Sequence, residues 1–474
     1  MNEMYFQLIK YKLPRIATLI FCLQLSVLMM LMFRFNNQSL AESGDPCDVK
    51  PNLLSADTFY KISGKFAKNK SQCFAFYAKE GETLVLNTTT EITILKPSNN
   101  AVKLQGKDKM IIQQTGKYSI IINANQGLKN FDIYLNLEPR HLDAKPYIKD
   151  IEASNAKFKD NNITSQLTYN VVTPPAFKEN NKLQEIVNTI VNLVQSKGLP
   201  VERFSVSLVD LSSSECCAYA SYSDQEPRFP ASVAKLFWMV YLYGQYQAGV
   251  LPEGTVPAKK LSKMIQDSDN ESASFIVNTI TQTKPGESLP PEEMEKWKQK
   301  RFALNWFFKK AGYSKINISQ KVFPTDYAKN DEPAGRELQI RGEDKLQPIR
   351  NFVNTYDLAR LMLEIYTDKA LSKKYSNQMQ SLLRRDLHKS AWKNKPFNAI
   401  EGFLGESLPE DAYFASKMGW NSGTRNDAAI IKSPDGKHKY ILVVFGDDPS
   451  FYQDKTIYPE ISLMVYKSMT NKNS

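Results

Sequence analysis

The sequence predicts a multidomain chain: an N-terminal signal or membrane helix, a small all-β sandwich, then an α/β domain whose antiparallel sheet is covered by helices and joined to a helical subdomain. Three observations predict it. An uncharged run, Ile16–Phe33, follows Lys10, Lys12 and Arg15. Short apolar or alternating runs separated by turn signals fill residues 47–140. From Leu183 onward, helix-period and strand-period stretches alternate. At 474 residues there is room for two or three cores.

The first segment, 1–40, carries that uncharged run and reads as a secretory signal or an uncleaved anchor, its basic flank kept in the cytoplasm. The run is long for a cleaved signal and just long enough to span a bilayer, which favours an N-terminal membrane anchor. Ser39-Leu40-Ala41 offers a cleavage site, but set apart from the run behind Arg34. Either way the remainder is expected to be exported, to the periplasm or cell envelope. For an exported chain, Cys47 and Cys73 read as a disulfide or as two buried thiols, and both readings stay open. Cys216 and Cys217 fall where a strand is expected, so they point to opposite faces and no bond between them is expected.

In the second segment, 47–140, six strands are expected at Cys73–Tyr77, Thr83–Asn87, Ile92–Lys96, Met110–Gln113, Tyr118–Ile122 and Phe131–Leu137. Turn signals such as Glu80-Gly81, Thr115-Gly116 and Asn125-Gln126-Gly127 separate them. Residues 141–181, polar and containing Pro146, Pro174 and Pro175, read as a linker. The third segment, 182–474, opens on a helix marked by Leu183, Ile186, Val187, Ile190 and Val194. A strand is expected over Phe204–Leu211, terminal strands over Ala428–Ile431 and Tyr440–Phe445, and a final helix over Ile457–Met469.

Net charge is +11, carried by scattered lysines without a basic block. That pattern reads as a solvated surface rather than a nucleic-acid site, and it suits an anionic wall or membrane. The three histidines, His141, His388 and His438, lie outside every motif, and no residues have metal-ligand spacing. A Ser-His-Asp triad, a metal and a cofactor are therefore not expected; a monomer is.

The chemistry-bearing pattern is Ser232-Val233-Ala234-Lys235, then Ser268-Asp269-Asn270, then Lys417-Met418-Gly419. A serine hydroxyl is a weak nucleophile near neutral pH and needs a base within reach. Residues i and i+3 share a helix face, so Lys235 can meet Ser232. Ser-x-x-Lys also occurs at Ser154/Lys157 and Ser390/Lys393, but only the central copy precedes a long apolar run, Leu236–Tyr243. Taken singly, Ser268 and Asn270 read as a helix-end cap and Arg425 as part of a surface ion pair; taken in order with Ser232 and Lys235, they read as functional.

The ordered trio resembles the class A β-lactamase-like and penicillin-binding serine hydrolases, whose motifs are S-x-x-K, S-D-N and K-[ST]-G. The resemblance extends over roughly 180–470, including Ala303–Gly312, Asn354–Leu363 and Gly423-Thr424-Arg425-Asn426-Asp427. It implies that Ser232 attacks an amide or lactam carbonyl and Lys235 takes its proton. It implies that Ser268 passes a proton to the leaving nitrogen, with Lys417 as a neighbouring cation. Asn270 would hold Lys235 and the substrate amide. Gly419 and Trp420 would line the substrate strand, with the amides of Ser232 and Trp420 as oxyanion hole, and Arg425 would bind a substrate carboxylate. The deacylation base would be Glu343 in Arg341-Gly342-Glu343, with Glu337 as its rival. Residues 47–140 resemble, more loosely, the pre-peptidase C-terminal-type domains, which implies a wall-binding module or a spacer. The middle of the third motif departs from the family at Met418, and Lys284–Arg301 and Arg384–Pro409 read as insertions. The implied partner is a β-lactam or a peptidoglycan peptide. Three functions follow: a β-lactamase-like hydrolase, a D-Ala-D-Ala-type peptidase or other amidase or esterase, and a non-catalytic envelope-binding protein.

Overall fold

The computed structural model describes residues 7–12, 52–53, 58–65, 72–78, 82–98, 100–122, 130–138, 167, 169–213, 217–323, 333–342, 348–395 and 398–470. The apolar run Ile16–Phe33, Cys47, Cys216 and Glu343 lie outside them, and with them the readings placed there. Among the described residues no helix is long and apolar enough to cross a membrane. The chain divides into two compact units, Met1–Leu142 and Asp143–Ser474.

In its described part the first unit is all β. Its strands are β1 (Gln7–Lys12), β2 (Asn52–Leu53), β3 (Thr58–Lys65), β4 (Gln72–Ala78), β5 (Thr83–Leu95), β6 (Ala101–Ile111), β7 (Gly116–Ile122) and β8 (Asn130–Glu138). They run in the order β1-β3-β8-β5-β7-β4-β2, with β6 on β5. Two expected strands, Thr83–Asn87 and Ile92–Lys96, are halves of the one strand β5, whose register shifts between Thr88 and Ile92. The first half pairs with β8 and the second with β7, so the sheet diverges at that irregularity. Phe76, Leu84, Leu86, Ile94, Tyr118, Ile120 and Leu135 form the apolar core of this unit. The period-2 alternation of the strands puts these residues on the inner face.

The second unit is built on a seven-stranded sheet in the order β12-β13-β14-β15-β10-β11-β9. The strands are β9 (Lys178–Glu179), β10 (Phe204–Asp210), β11 (Ala218–Tyr222), β12 (Arg384–Arg385), β13 (Tyr413–Asn421), β14 (Thr424–Lys432) and β15 (Lys439–Gly446). Except for β9, which lies parallel to β11, all the pairings are antiparallel. One face is covered by α1 (Asn181–Ser196), which buries Leu183, Val187, Ile190 and Val194, and by the terminal helix Ile457–Thr470. The other carries a larger, mainly helical layer around Lys235–Gln247, buried on almost all sides. That is why its sequence is apolar without a helical stripe.

β13 and β14 form a hairpin that turns at Ser422-Gly423. Within the stretch Lys284–Arg301 a continuous helix, Pro291–Lys310, begins. The stretch read as a linker is, over its described residues 167–180, part of the second unit. Leu167 and Tyr169 sit in its core, Phe177 stacks on Tyr219 at 4.7 Å, and β9 joins the sheet.

Tyr169 completes a buried polar cluster. Glu364 accepts from Tyr169 Oη at 2.5 Å, Tyr313 Oη at 2.6 Å and Arg360 Nε at 2.8 Å. Burial, reinforced by the Glu364 carboxylate, holds both phenols well above the ordinary tyrosine range. Removing one partner of a buried ion pair strands the other. Glu364→Gln is therefore expected to lower unfolding stability by about 3–5 kcal/mol, measured by urea denaturation against the parent.

Candidate active site

Ser232 lies in a 3₁₀ turn, Ala231–Ala234, that runs directly into the helix Lys235–Gln247. Its side chain is half-buried, whereas Lys235 is fully buried. The Lys235 ammonium lies 2.9 Å from Ser232 Oγ, 2.6 Å from Ser268 O and 2.7 Å from Asn270 Oδ1. Ser268 Oγ is 3.3 Å from it and accepts from Lys417 Nζ at 2.8 Å. Lys417 also donates to Met418 O at 2.7 Å. The structure thus joins the three motifs into one chain of contacts: Ser232, Lys235, Ser268, Lys417.

Local structure explains how each side chain is freed for this. The helix Asn270–Thr281 is capped by Asp269, whose carboxylate accepts from Ser272 N at 2.7 Å. The middle residue of the triplet does the capping, so Ser268 and Asn270 can face the amine. Ser268 itself takes a left-handed backbone, φ +54°, a conformation that costs energy outside glycine.

Electrostatics follow from burial. Loss of water around Lys235 lowers its pKa to about 7, with Asp269 acting in the opposite direction. Lys417 is held well below the usual lysine range, first by burial, then by Lys235 and Arg385, against Asp427. Ser268 O and Asn270 Oδ1 only accept. A deprotonated Lys235 therefore gives its two protons to them and turns its lone pair to Ser232, the partner that has a proton to lose.

Gly419 is the point of closest approach. A methyl group there would come within 2.6 Å of Pro230 O and Ser232 N and 2.7 Å of Val233 N. Only glycine lets β13 lie against the turn that carries the nucleophile. Asn426 on β14, opposite Gly419, donates to Phe229 O at 2.9 Å and ties the hairpin to the approach of that turn. In the sequence Asn426 falls within Gly423–Asp427 but is given no role there.

The remaining expected residues fall differently. Lys417 and Gly419 lie on the sheet face of Ala415 and Ala428, toward the helical layer, and Trp420 and Arg425 alternate to the other face. Arg425 gives three donors to the carbonyls of Phe451, Gly402 and Tyr452, at 3.0, 2.9 and 2.7 Å. Its place is that of a structural tie, not of a carboxylate anchor beside Ser232. Met418 is buried against Ala399 and Phe403. Glu337 is buried between Arg301, at 2.9 and 3.0 Å, and Lys321, at 2.9 Å. Burial alone would raise its pKa, but the two cations bring it to about 2. Among the described residues no His, Cys, Asp and Glu cluster is arranged to hold a metal.

Gly419→Ala is expected to slow labelling of Ser232 by a serine-directed fluorophosphonate about 10- to 100-fold, with the circular dichroism spectrum of the parent retained.

Residues 252–469 match the beta-lactamase enzyme family, a segment that holds Ser268, Asn270, Lys417 and Gly419 and starts after Ser232. No curated protein matches the chain. Among solved structures it is similar to a β-lactamase from Sphaerobacter thermophilus, at 15% identity over 60% of this chain and 97% of that one, TM-score 0.42. A β-lactamase from Chitinophaga pinensis shows 16% identity over 61% and 99%, TM-score 0.41. PBP-A shows 18% over 62% and 98%, TM-score 0.41. The family match over residues 252–469 and the four-residue constellation of Ser232, Lys235, Ser268 and Lys417 support a β-lactamase-like serine hydrolase domain in the C-terminal part of this chain.

Proposed function

We propose that the protein is an exported serine hydrolase that opens β-lactam-type amide bonds through an acyl-enzyme on Ser232. The observation that carries this reading is the 2.9 Å contact between Ser232 Oγ and an amine whose pKa is near 7. In the neutral amine form, Lys235 takes the Ser232 proton as Oγ bonds to the carbonyl carbon. The amides of Ser232 and Trp420 receive the oxyanion. As the C–N bond breaks, Ser268 Oγ gives its proton to the nitrogen and regains one from Lys235, with Lys417 2.8 Å away holding the hydroxyl in place. Water then releases the acyl group, with Glu343 as the base.

Export is supported by the uncharged run Ile16–Phe33 and by disulfide bonding of both Cys73 and Cys217, which persists in oxidising compartments. The pre-peptidase-like β unit would then bind wall material or hold the hydrolase off the membrane.

A second reading, a D-Ala-D-Ala-type peptidase that stays acylated by penicillins, is favoured by one observation. Glu337, the rival base, is paired with Arg301 and Lys321, which bring its pKa to about 2 and leave it a poor base for activating water. Intact-mass analysis after incubation with penicillin separates the readings. A transient adduct with accumulating hydrolysed penicillin marks the first, and a persistent one marks the second. Both require that Ser232→Ala abolish the adduct, and inertness of the parent to penicillin and fluorophosphonate alike ends both.

The base must be neutral to act, and it is neutral above its pKa. The acylation rate is expected to rise with pH through about 7 and to fall about tenfold per unit below it. Stopped-flow acylation across pH 5–9 (a range of about four units) reads the limb, and a flat profile would remove Lys235 from this role.

A further inference from the structure

Arg385 lies outside all three motifs and has no part in the chemistry above. It sits on β12, the two-residue strand that pairs with the edge of β13 at Phe414 and Ala415. Its guanidinium bridges two chain segments. Nη1 donates to Gln266 O at 2.8 Å, and Nη2 donates to Ile265 O at 2.8 Å and Ser416 O at 3.2 Å. Ile265 ends the helix Ala258–Ile265, three residues before Ser268. Ser416 adjoins Lys417 on β13. One planar group therefore holds the carbonyl end of one catalytic segment and the backbone of the other. These are the two segments whose side chains meet in the 2.8 Å contact between Lys417 and Ser268.

We infer that Arg385 is a positioning residue that clamps the Ser268 segment to the Lys417 strand and holds the Lys417–Ser268 contact in register. The guanidinium suits this task, because its fork presents several donors at fixed angles and its charge also favours helix-terminal carbonyls. A lysine has a point charge without the fork. Arg385 also keeps a second cation beside Lys417. The charged groups acting on this pair are Lys235 from the nucleophile helix, Asp427 from β14 and Asp267 from the segment before Ser268. Burial lowers Arg385 to about 10, against Asp427 and Asp267. Asp427, raised to about 7 by burial, accepts from Leu404 N at 3.2 Å.

The inference rests on the acyl-enzyme reading for its kinetic consequence but not for its structural one, so the test uses both readouts. The full chain and its Arg385→Met, Arg385→Lys and Arg384→Met variants are compared by amide hydrogen exchange and by the pH profile of fluorophosphonate labelling of Ser232. Arg384, whose side chain stacks on the Tyr413 ring at 4.6 Å, is the neighbouring control. Arg385→Met is expected to speed exchange at 266–270 and to slow labelling about 10- to 100-fold. Labelling is expected to fall again at higher pH as Lys417 loses its proton, and in Arg385→Met that limb moves upward, because a neighbouring cation is gone. Arg385→Lys keeps that limb near the parent position while the labelling rate stays low, which separates charge from clamp. Parent-like exchange at 266–270 in Arg385→Met overturns the clamp whether or not the enzyme is active. Parent-like exchange and profile in Arg385→Lys with a change in Arg384→Met overturns it as well. Failure of the acyl-enzyme reading shows separately, as a parent that takes no label.

Discussion

Everything at this site depends on keeping the Lys235 amine away from water. An ammonium ion loses a large solvation energy on burial, and here its acceptors are a hydroxyl, a carbonyl and an amide oxygen rather than a carboxylate. They orient the nitrogen without returning the charge to it. Asp269 is close enough to oppose the effect, but its oxygen is occupied at the start of the next helix. A second buried amine, Lys417, is held low by its own burial and then by Lys235. The folded chain supplies this destabilised pair because its apolar nucleophile helix, nearly sealed on all sides, cannot be solvated at its first residue.

The architecture is arranged around that helix. The strand β13 comes against the nucleophile turn at Gly419, β14 reaches the same turn through Asn426, and the Ser268 segment approaches from a separate pair of helices. Three chain segments distant in sequence thus meet at one place, and each contact is to backbone or to a neutral polar atom. Backbone contacts fix positions to fractions of an ångström, while neutral partners leave the proton affinity of the two amines to burial. Geometry and basicity are set by different parts of the fold.

Much of this was legible in the chain itself. Ser232 and Lys235 could be found because residues i and i+3 share a helix face, and Ser268, Asn270 and Lys417 because the ordered motifs resemble those of a known family; these are the residues that converge. The helix beginning at Asn181 was legible because Leu183, Val187, Ile190 and Val194 keep one face. What was not legible depends on long-range pairing. The Ser422-Gly423 turn signal is visible, but the register in which β13 pairs with β14 is not. Arg425 was misplaced because its face follows from that hairpin register, and one residue of alternation sends it to the far side of the sheet. Glu337 looks like an ordinary loop carboxylate until Arg301 and Lys321, both well before it in the chain, are brought to it. In the β unit, the two halves of β5 look like separate strands because the irregularity between Thr88 and Ile92 mimics a turn.

The docking of residues 167–180 reaches further than a matter of boundaries. The hydroxyl of Tyr169 enters a pit where Arg360 and Glu364 already neutralise each other, and the Phe177 ring shields Tyr219. This strap lies before the first long helix of the unit. A gene fragment trimmed to begin at Asn181, as helix periodicity would suggest, loses the strap. It would open the charged pit to solvent and bare an aromatic face. The smallest self-sufficient hydrolase in this polypeptide therefore starts upstream of Leu167.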